Sequence, residues 1–290
     1  MTYEIITVTP VAGALGAAVS GVDLGRPLEP RALFEIKLAF ADHLVLLFRD
    51  QTLTPKGQIA FAEQLGPLLR VPYVEPLADH PDIIAVLKEA DECNISTFGG
   101  TWHTDFSFLE NPPSATILYA LEVPPFGGDT LWANMYAAYD ALSRGMKATL
   151  DGLTAIHTGA PHGTTHAPSA DVAVSRSIKL TRGDPEADAE TEHPVVRLHP
   201  ITGRRALFIN PVYVPRFKDM TEAESRPLLN FLGHHATRPE FTCRFSWQNG
   251  SLVMWDNRCT QHLAINDYDG VRRLLHRVTV AGERPAGTSG

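Results

Sequence analysis

The chain has 290 residues, a formal net charge of −8, and 44% hydrophobic and 20% charged residues. That composition is ordinary for a globular protein with ample material for a core. It excludes the concentrated basic surface that nucleic acid needs, and no run of 18 apolar residues is present to span a membrane.

Taken in chain order, residues 4–9 alternate as a first strand, and residues 31–42 place Leu33, Ile36 and Phe40 at helical spacing. The apolar run 44–48 reads as a buried strand. Thr54-Pro55 is a helix start, with Thr as N-cap and Pro at the first helical position. Ile59, Ala62 and Leu65 give that helix an inward face, and Gly66-Pro67 stops it. Residues 83–87 form a strand, and 91–101 a polar, glycine-rich loop. Strands at 115–122 and 130–133 flank a turn at 124–128. Tyr136, Tyr139, Leu142 and Leu150 pattern one helix over 136–150.

Residues 158–192 are rich in Gly, Pro, Ser, Thr, Asp and Glu with little periodicity, which predicts a lid or flexible insert. A hairpin follows, 193–197 with 206–209 around the turn 201–203. Thr221 and Glu224 form a capping box for a helix over 222–236, with Pro227 expected to disturb its first turn. Strands at 241–247, 252–255 and 274–280 complete the chain. The expectation is one domain over residues 1–290, mainly β with flanking helices, arranged as a sandwich or barrel. Cys93, Cys243 and Cys259 are too few and too scattered for a disulfide framework or a cysteine-based zinc site. Residues 1–10 show no signal peptide. A reduced, cytoplasmic homo-oligomer is expected.

Two distant segments concentrate the chemistry, Trp102-His103-Thr104-Asp105 and Gln261-His262. Two histidines and one carboxylate make a face that leaves about three of six positions open on Fe(II). If 102–105 stays extended, His103 and Asp105 point to the same side. An isolated H-x-D is more often incidental than metal-binding, and zinc accepts the same three ligands. Arg273 and Arg277, four apart on a strand, share one side with Leu275 between them. Pattern alone leaves open whether that side is inward. An inward arginine requires an anion, because an unpaired buried charge costs several kcal/mol.

The set Trp102-His103-Thr104-Asp105, Gly127-Gly128-Asp129-Thr130-Leu131-Trp132, Trp255-Asp256-Asn257-Arg258, Gln261-His262 and Arg272-Arg273-Leu274-Leu275-His276-Arg277 resembles the Fe(II)/2-oxoglutarate dioxygenases of the taurine/2,4-dichlorophenoxyacetate dioxygenase family. The resemblance spans nearly the whole chain, from Gly13 through Gly282. It implies a double-stranded β-helix, or jelly roll, with iron at one mouth. His103, Asp105 and His262 would be the iron ligands. Thr130 and Arg273 would hold the distal carboxylate of 2-oxoglutarate through a hydroxyl and a bidentate guanidinium, and Arg277 the anionic head of a small organic substrate. The implied reaction consumes O2 and 2-oxoglutarate, gives succinate and CO2, and hydroxylates a C–H. Beside a heteroatom, the product collapses with C–O or C–S cleavage. Related halogenases lack the carboxylate ligand, so Asp105 implies hydroxylation.

Taurine-type members place a histidine where this chain has Val71 and an asparagine where it has Gly99, which puts taurine or another alkylsulfonate in doubt. Residues 207–213 and 241–244 look more like the aryloxyalkanoate-cleaving members. An aryloxyalkanoate is the first substrate lead, with alkyl sulfate esters close behind. Val71, Tyr73, Phe106 and Phe108 are candidate wall residues, with plain core packing as the alternative reading for the two phenylalanines. Tyr213 is either a second donor to the substrate anion or a strand-edge aromatic. His157, His162 and His166 fit no single helix or strand face, so a second metal site there is disfavoured. The rivals are a zinc hydrolase on the same ligands, which would give Thr130 and Arg273 no purpose, and a silent binding protein.

Overall fold

The computed structural model describes residues 3–93, 97–160, 177–180 and 185–288. Along them run β1 (Thr7–Pro10), β2 (Ala17–Ser20), α1 (Pro30–His43), β3 (Val45–Phe48), α2 (Pro55–Glu63), β4 (Ile84–Lys88), β5 (Ala115–Glu122), β6 (Thr130–Asn134), α3 (Met135–Asp140), α4 (Arg144–Leu150) and β7 (Thr154–Thr158). Then follow α5 (Pro185–Asp188), β8 (Glu190–Pro194), β9 (Val196–Leu198), β10 (Arg205–Leu207), β11 (Arg216–Phe217), α6 (Glu222–Ala236), β12 (Thr242–Phe245), β13 (Leu252–Asp256), β14 (Thr260–Ala264), β15 (Arg273–Val280) and β16 (Ala286–Gly287).

Seven strands form the major sheet in the order β1-β2-β3-β13-β5-β15-β4, and three smaller sheets run β12-β6-β14, β11-β7-β8 and β10-β9-β16. All pairings are antiparallel except β2 with β3. The major sheet is buried on both faces, which is why its central strands read as unbroken apolar runs. Alternation assigns the faces. Val45, Leu47, Leu118, Val253 and Trp255 point into the core shared with Trp132 and Phe245 of the β12-β6-β14 sheet. Leu46, Phe48, Ile117, Leu252 and Met254 pack on Ile36 and Phe40 of α1 and Phe61 of α2. Each such side chain contributes ~1.5–3 kcal/mol by leaving water. The architecture is the expected jelly roll with helices outside. Among the described residues no helix is long and apolar enough to cross a membrane.

Several local expectations are met in detail. Thr54 accepts the Gly57 N–H at the start of α2. Thr221 and Glu224 complete a reciprocal capping box. Other boundaries differ. The first strand is shifted to β1, and it pairs with β2, which the Gly-rich sequence concealed. The helix expected over 136–150 is two helices, because Ser143 accepts the Met146 N–H and caps a new start. Pro227 lies within α6 beyond its capped first turn, where the capping box holds the start regular. The 193–197 hairpin is displaced: β8 pairs with β7, and β9 takes β10. Within 158–192 the described residues include ordered pieces. Thr158 and Glu190 pair directly, Pro185–Asp188 is a helical turn, and Leu180 bridges to Val74. His162 and His166 lie outside the described residues.

Candidate active site

The two histidines are set opposite each other by backbone alone. His103 N–H donates to the His262 carbonyl (3.0 Å) and His262 N–H to the His103 carbonyl (2.8 Å), an isolated antiparallel bridge on the edge of β14. Their rings come within 4.1 Å between centroids. The expected extension of 102–105 fails beyond that bridge. A turn begins at Asp105, and Phe106 takes φ +43°. The turn nonetheless brings Asp105 Oδ1 to 3.6 Å from His103 Nε2 and 3.7 Å from His262 Nε2. One ligand atom from each of the three residues lies within 4.8 Å of the others, all buried.

The chemistry of this donor set fits a hard-to-borderline divalent metal. His103 Nδ1 sits 2.7 Å from the Thr101 carbonyl, so Nδ1 carries the proton and Nε2 offers its lone pair inward. Burial, His103 and Arg277 push the His262 imidazole well below its usual range, so it is neutral at pH 7. Burial alone would raise the Asp105 carboxyl, but Arg277 and the two imidazoles hold it well below the usual carboxylate range. Asp105 is therefore an anion facing the neutral His262 imidazole and the inward Nε2 of His103.

Asp105 is oriented by a relay of neutral donors. Trp255 Nε1–H donates to Asn257 Oδ1 (3.0 Å), Asn257 Nδ2–H to Thr116 Oγ1 (2.9 Å), and the Thr116 hydroxyl to Asp105 Oδ2 (2.7 Å). This occupies Oδ2 and leaves Oδ1 facing the histidines. Sequence reasoning missed Thr116 altogether. It recorded Trp255 and Asn257 only as motif letters, and that spacing was the available signal.

Both β15 arginines are inward, which settles the open question of that strand. Arg277 Nη1 reaches Asp105 Oδ1 at 3.0 Å, and its guanidinium lies 5.0 Å from the Phe106 ring centre. Arg273 is 4% exposed and has no carboxylate partner among the described residues, and its Nε is unbonded. Burial pushes its guanidinium down, with Tyr268 and Asp129 offsetting in part. A buried cation of this kind is costly unless an anion arrives. Nearby, the Thr130 hydroxyl accepts the Trp247 indole N–H at 3.0 Å. His103, His262, Thr130, Arg273 and Arg277 all line one cleft, together with Val86, Phe98, Gly99, Leu118, Trp255 and Ala264. Gly99 has φ +78°, and a Cβ there would stand 3.2 Å from His103 Cε1. The site needs glycine at that point.

The remaining substrate candidates do not line that cleft. Tyr73, Phe106, Phe108 and Tyr213 form an adjoining buried aromatic cluster, with Val71 packed against it. The Tyr73 and Tyr213 hydroxyls are 2.9 Å apart, and Tyr73 holds φ +53°. Strained non-glycine backbone of this kind concentrates at ligand sites. Arg277, over Phe106, joins the cluster to the cleft. His157 is a core residue of β7, not a lid residue. Its Nδ1 contacts Ser107 Oγ (3.0 Å), which also takes the Asn210 amide (2.9 Å). A second constellation, His199, Asp256 and Cys259, also meets metal-ligand spacing. There His199 donates from Nε2 to Asp256 (3.0 Å) and accepts backbone N–H groups on Nδ1, while Arg258 takes both Asp256 oxygens. With its nitrogens and carboxylate so engaged, it is a structural brace.

Comparison with known proteins agrees with this geometry. The family described as "Taurine catabolism dioxygenase TauD, TfdA family" matches residues 7–279. An "Alpha-ketoglutarate-dependent sulfate ester dioxygenase" from Pseudomonas putida is 39% identical over 98% of this chain and 92% of its own length. An "Alkylsulfatase" from Acinetobacter baylyi is 37% identical over 96% of this chain and 86% of its own. The crystal structure of a taurine dioxygenase from Burkholderia xenovorans superposes with a TM-score of 0.82 at 36% identity, covering 99% of this chain and 94% of that one.

Proposed function

The chain belongs to the taurine catabolism dioxygenase family, and on that premise we propose that it is an Fe(II)- and 2-oxoglutarate-dependent dioxygenase that cleaves small alkyl sulfate esters by hydroxylating the carbon bearing the ester oxygen. The observation that carries this reading is the gathering of two imidazoles and two buried arginines in a single cleft, with the Asp105 carboxylate set against both imidazoles and Arg277. The sulfate-ester preference rests on the two relatives named above, with aryloxyalkanoates next and alkylsulfonates after them.

His103, Asp105 and His262 would hold the iron. Bound Fe(II) supplies the reaction of O2 with 2-oxoglutarate that yields succinate and CO2 and oxidises the substrate C–H. The protein's part is placement. Arg273 takes the distal carboxylate of 2-oxoglutarate in a charge-assisted pair, and the Thr130 hydroxyl adds a hydrogen bond. Arg277 takes the sulfate. Because its guanidinium lies 3.0 Å from the ligand carboxylate, a head group held there keeps the adjacent carbon close to the metal. Val71, Tyr73, Phe108 and Tyr213 belong to the adjoining cluster that Arg277 joins to the cleft, and would meet the apolar tail there. The hydroxylated carbon then expels sulfate and a proton and becomes an aldehyde.

We take residues 1–290 as one catalytic domain acting in the reduced cytoplasm, in keeping with three free cysteines, and as a homo-oligomer, which light scattering tests. A zinc hydrolase on the same ligands leaves Arg273 without a purpose. The deciding experiment incubates anaerobically iron-loaded protein with 2-oxoglutarate, O2 and a panel of alkyl sulfates, sulfonates and aryloxyalkanoates. Succinate matched by aldehyde and sulfate, and absent in His103→Ala, is the expected result. Alcohol in place of aldehyde, formed with zinc and without O2, would overturn the reading.

A further inference from the structure

Lys88 is a buried cation that the reaction scheme does not use. It ends β4 directly opposite Arg273 on β15, so two buried positive residues are cross-strand neighbours, an arrangement that repels unless something intervenes. What intervenes is the loop 266–269. Lys88 Nζ donates to Asn266 Oδ1 and to Asp269 Oδ1, each at 2.7 Å. The ring of Tyr268, itself buried, contacts both cations, 4.5 Å from Lys88 Nζ and 5.8 Å from Arg273 Cζ.

The Gly127-Gly128 turn is shaped to receive this loop. Gly128 N–H donates to Asp267 Oδ1 at 2.7 Å, and Ile265 N–H to the Asp129 carbonyl at 2.8 Å. A Cβ on Gly127 would meet Asp267 O at 2.8 Å, and one on Gly128 would meet Tyr268 Cδ1 at 3.1 Å and Arg273 Cδ at 3.3 Å. Both glycines have positive φ, so only glycine lets the loop and Arg273 approach this closely. Loop, turn and β4 thus form one clasp over Arg273, and Lys88 is its charged fastening.

We propose that Lys88 is a positioning residue that holds the 266–269 loop closed with Tyr268 against Arg273, and that this clasp sets how tightly the protein holds 2-oxoglutarate. The inference rests on the cosubstrate role given to Arg273 above. With the fastening removed, Tyr268 lifts away, water reaches Arg273, and its guanidinium gains rotamers that do not meet the carboxylate. The cation–π contacts to Tyr268 are modest beside the packing of the whole fold, so the effect is measurable without loss of the fold.

The test titrates 2-oxoglutarate into oxygen-free, Mn(II)-loaded protein by calorimetry. Lys88→Met should raise the Kd for 2-oxoglutarate roughly tenfold while the Kd for Mn(II) stays within twofold. In turnover, KM for 2-oxoglutarate should rise and KM for the sulfate ester should not. Asp269→Asn, which keeps the loop's shape, should show the same selective rise, and the double variant should be no weaker than the weaker single one. Asp269→Asn carries the test alone if Lys88→Met does not fold. A 2-oxoglutarate Kd within twofold of the parent in both variants overturns the proposal, as does a parallel loss of Mn(II). Parent protein that binds Mn(II) but not 2-oxoglutarate overturns the dioxygenase reading and the clasp together.

Discussion

Thr116→Val tests the relay that aims the Asp105 carboxylate, the proposed metal ligand. The side chains are nearly the same shape, and Thr116 is fully buried, so the substitution removes a hydroxyl without opening a cavity. It removes the only fixed donor on Asp105 Oδ2 among the described residues and strands the Asn257 amide that donated to Thr116. Asp105 then keeps Arg277 on Oδ1, the oxygen needed for the metal, and is free to swing toward it. A hydrogen bond to a charged group is worth about 1.5–3 kcal/mol, and loss of an outer partner of a metal ligand costs about 10–100-fold in affinity, or roughly 1.4–2.7 kcal/mol. Competition titration of Mn(II) against a chromophoric chelator reads this directly, with thermal unfolding of the metal-free protein alongside. Thr116→Ser, which keeps the hydroxyl, should restore most of the affinity. Mn(II) affinity within threefold of the parent for Thr116→Val would mean that Asp105 is held by other means.

Other outcomes follow from the same geometry. Arg273→Met should abolish 2-oxoglutarate binding yet leave the metal-free protein as stable as the parent or more so, since a buried cation without a carboxylate is replaced by an apolar chain; calorimetry and urea unfolding check the two halves. Gly99→Ala should weaken Mn(II) binding about tenfold, because the new Cβ meets the His103 ring and φ +78° strains any L-residue; a titration matching the parent refutes this. Burial lowers the His193 imidazole to about 4, while its Nε2 contacts the Leu109 carbonyl. The unfolded chain therefore takes the proton first as pH falls. The His193 contribution is intact above pH 6.5 and is lost between there and 4, about 2 kcal/mol of it by pH 5. Urea unfolding of His193→Gln at pH 7 and 5 should show a correspondingly smaller drop than the parent.

The residues proposed to meet metal and anions were legible because each must be a specific chemical type: His103, Asp105, His262, Thr130, Arg273 and Arg277 have few substitutes. The residues that aim them were not. Thr116 sits in an ordinary strand pattern, and nothing local distinguishes it from a core threonine; its role exists only because β5 brings it beneath the 105–108 turn. Strand β14 went unseen because Thr260 to Ala264 is short and polar at its ends, and its pairing with β6 and His103 is long-range. Lys88 fell just outside the strand expected over 83–87, and its partners lie on a distant loop. Helix caps, in contrast, are local chemistry, and Thr54 and Thr221 were placed correctly from sequence.

Charge in the cleft also constrains the substrate. Fe(II) brings two positive charges and Arg273 and Arg277 one each, while Asp105 brings one negative. Lys88 and Arg244 are paired with Asp269 and Asp129 and do not alter the balance. The three surplus positive charges are matched by dianionic 2-oxoglutarate and one monoanionic head group. An alkyl sulfate or sulfonate closes the site neutral, whereas a dianionic phosphate monoester of the same length leaves a buried negative charge beside Asp105, which the aromatic cluster cannot solvate. Phosphate monoesters should therefore inhibit weakly at pH 8 and more strongly below their second pKa of about 6, as the monoanion forms. The assay is inhibition of alkyl sulfate turnover by the matching alkyl phosphate at pH 8 and pH 6. A lower inhibition constant at pH 8 would show that charge balance in the cleft does not favour a monoanionic head group.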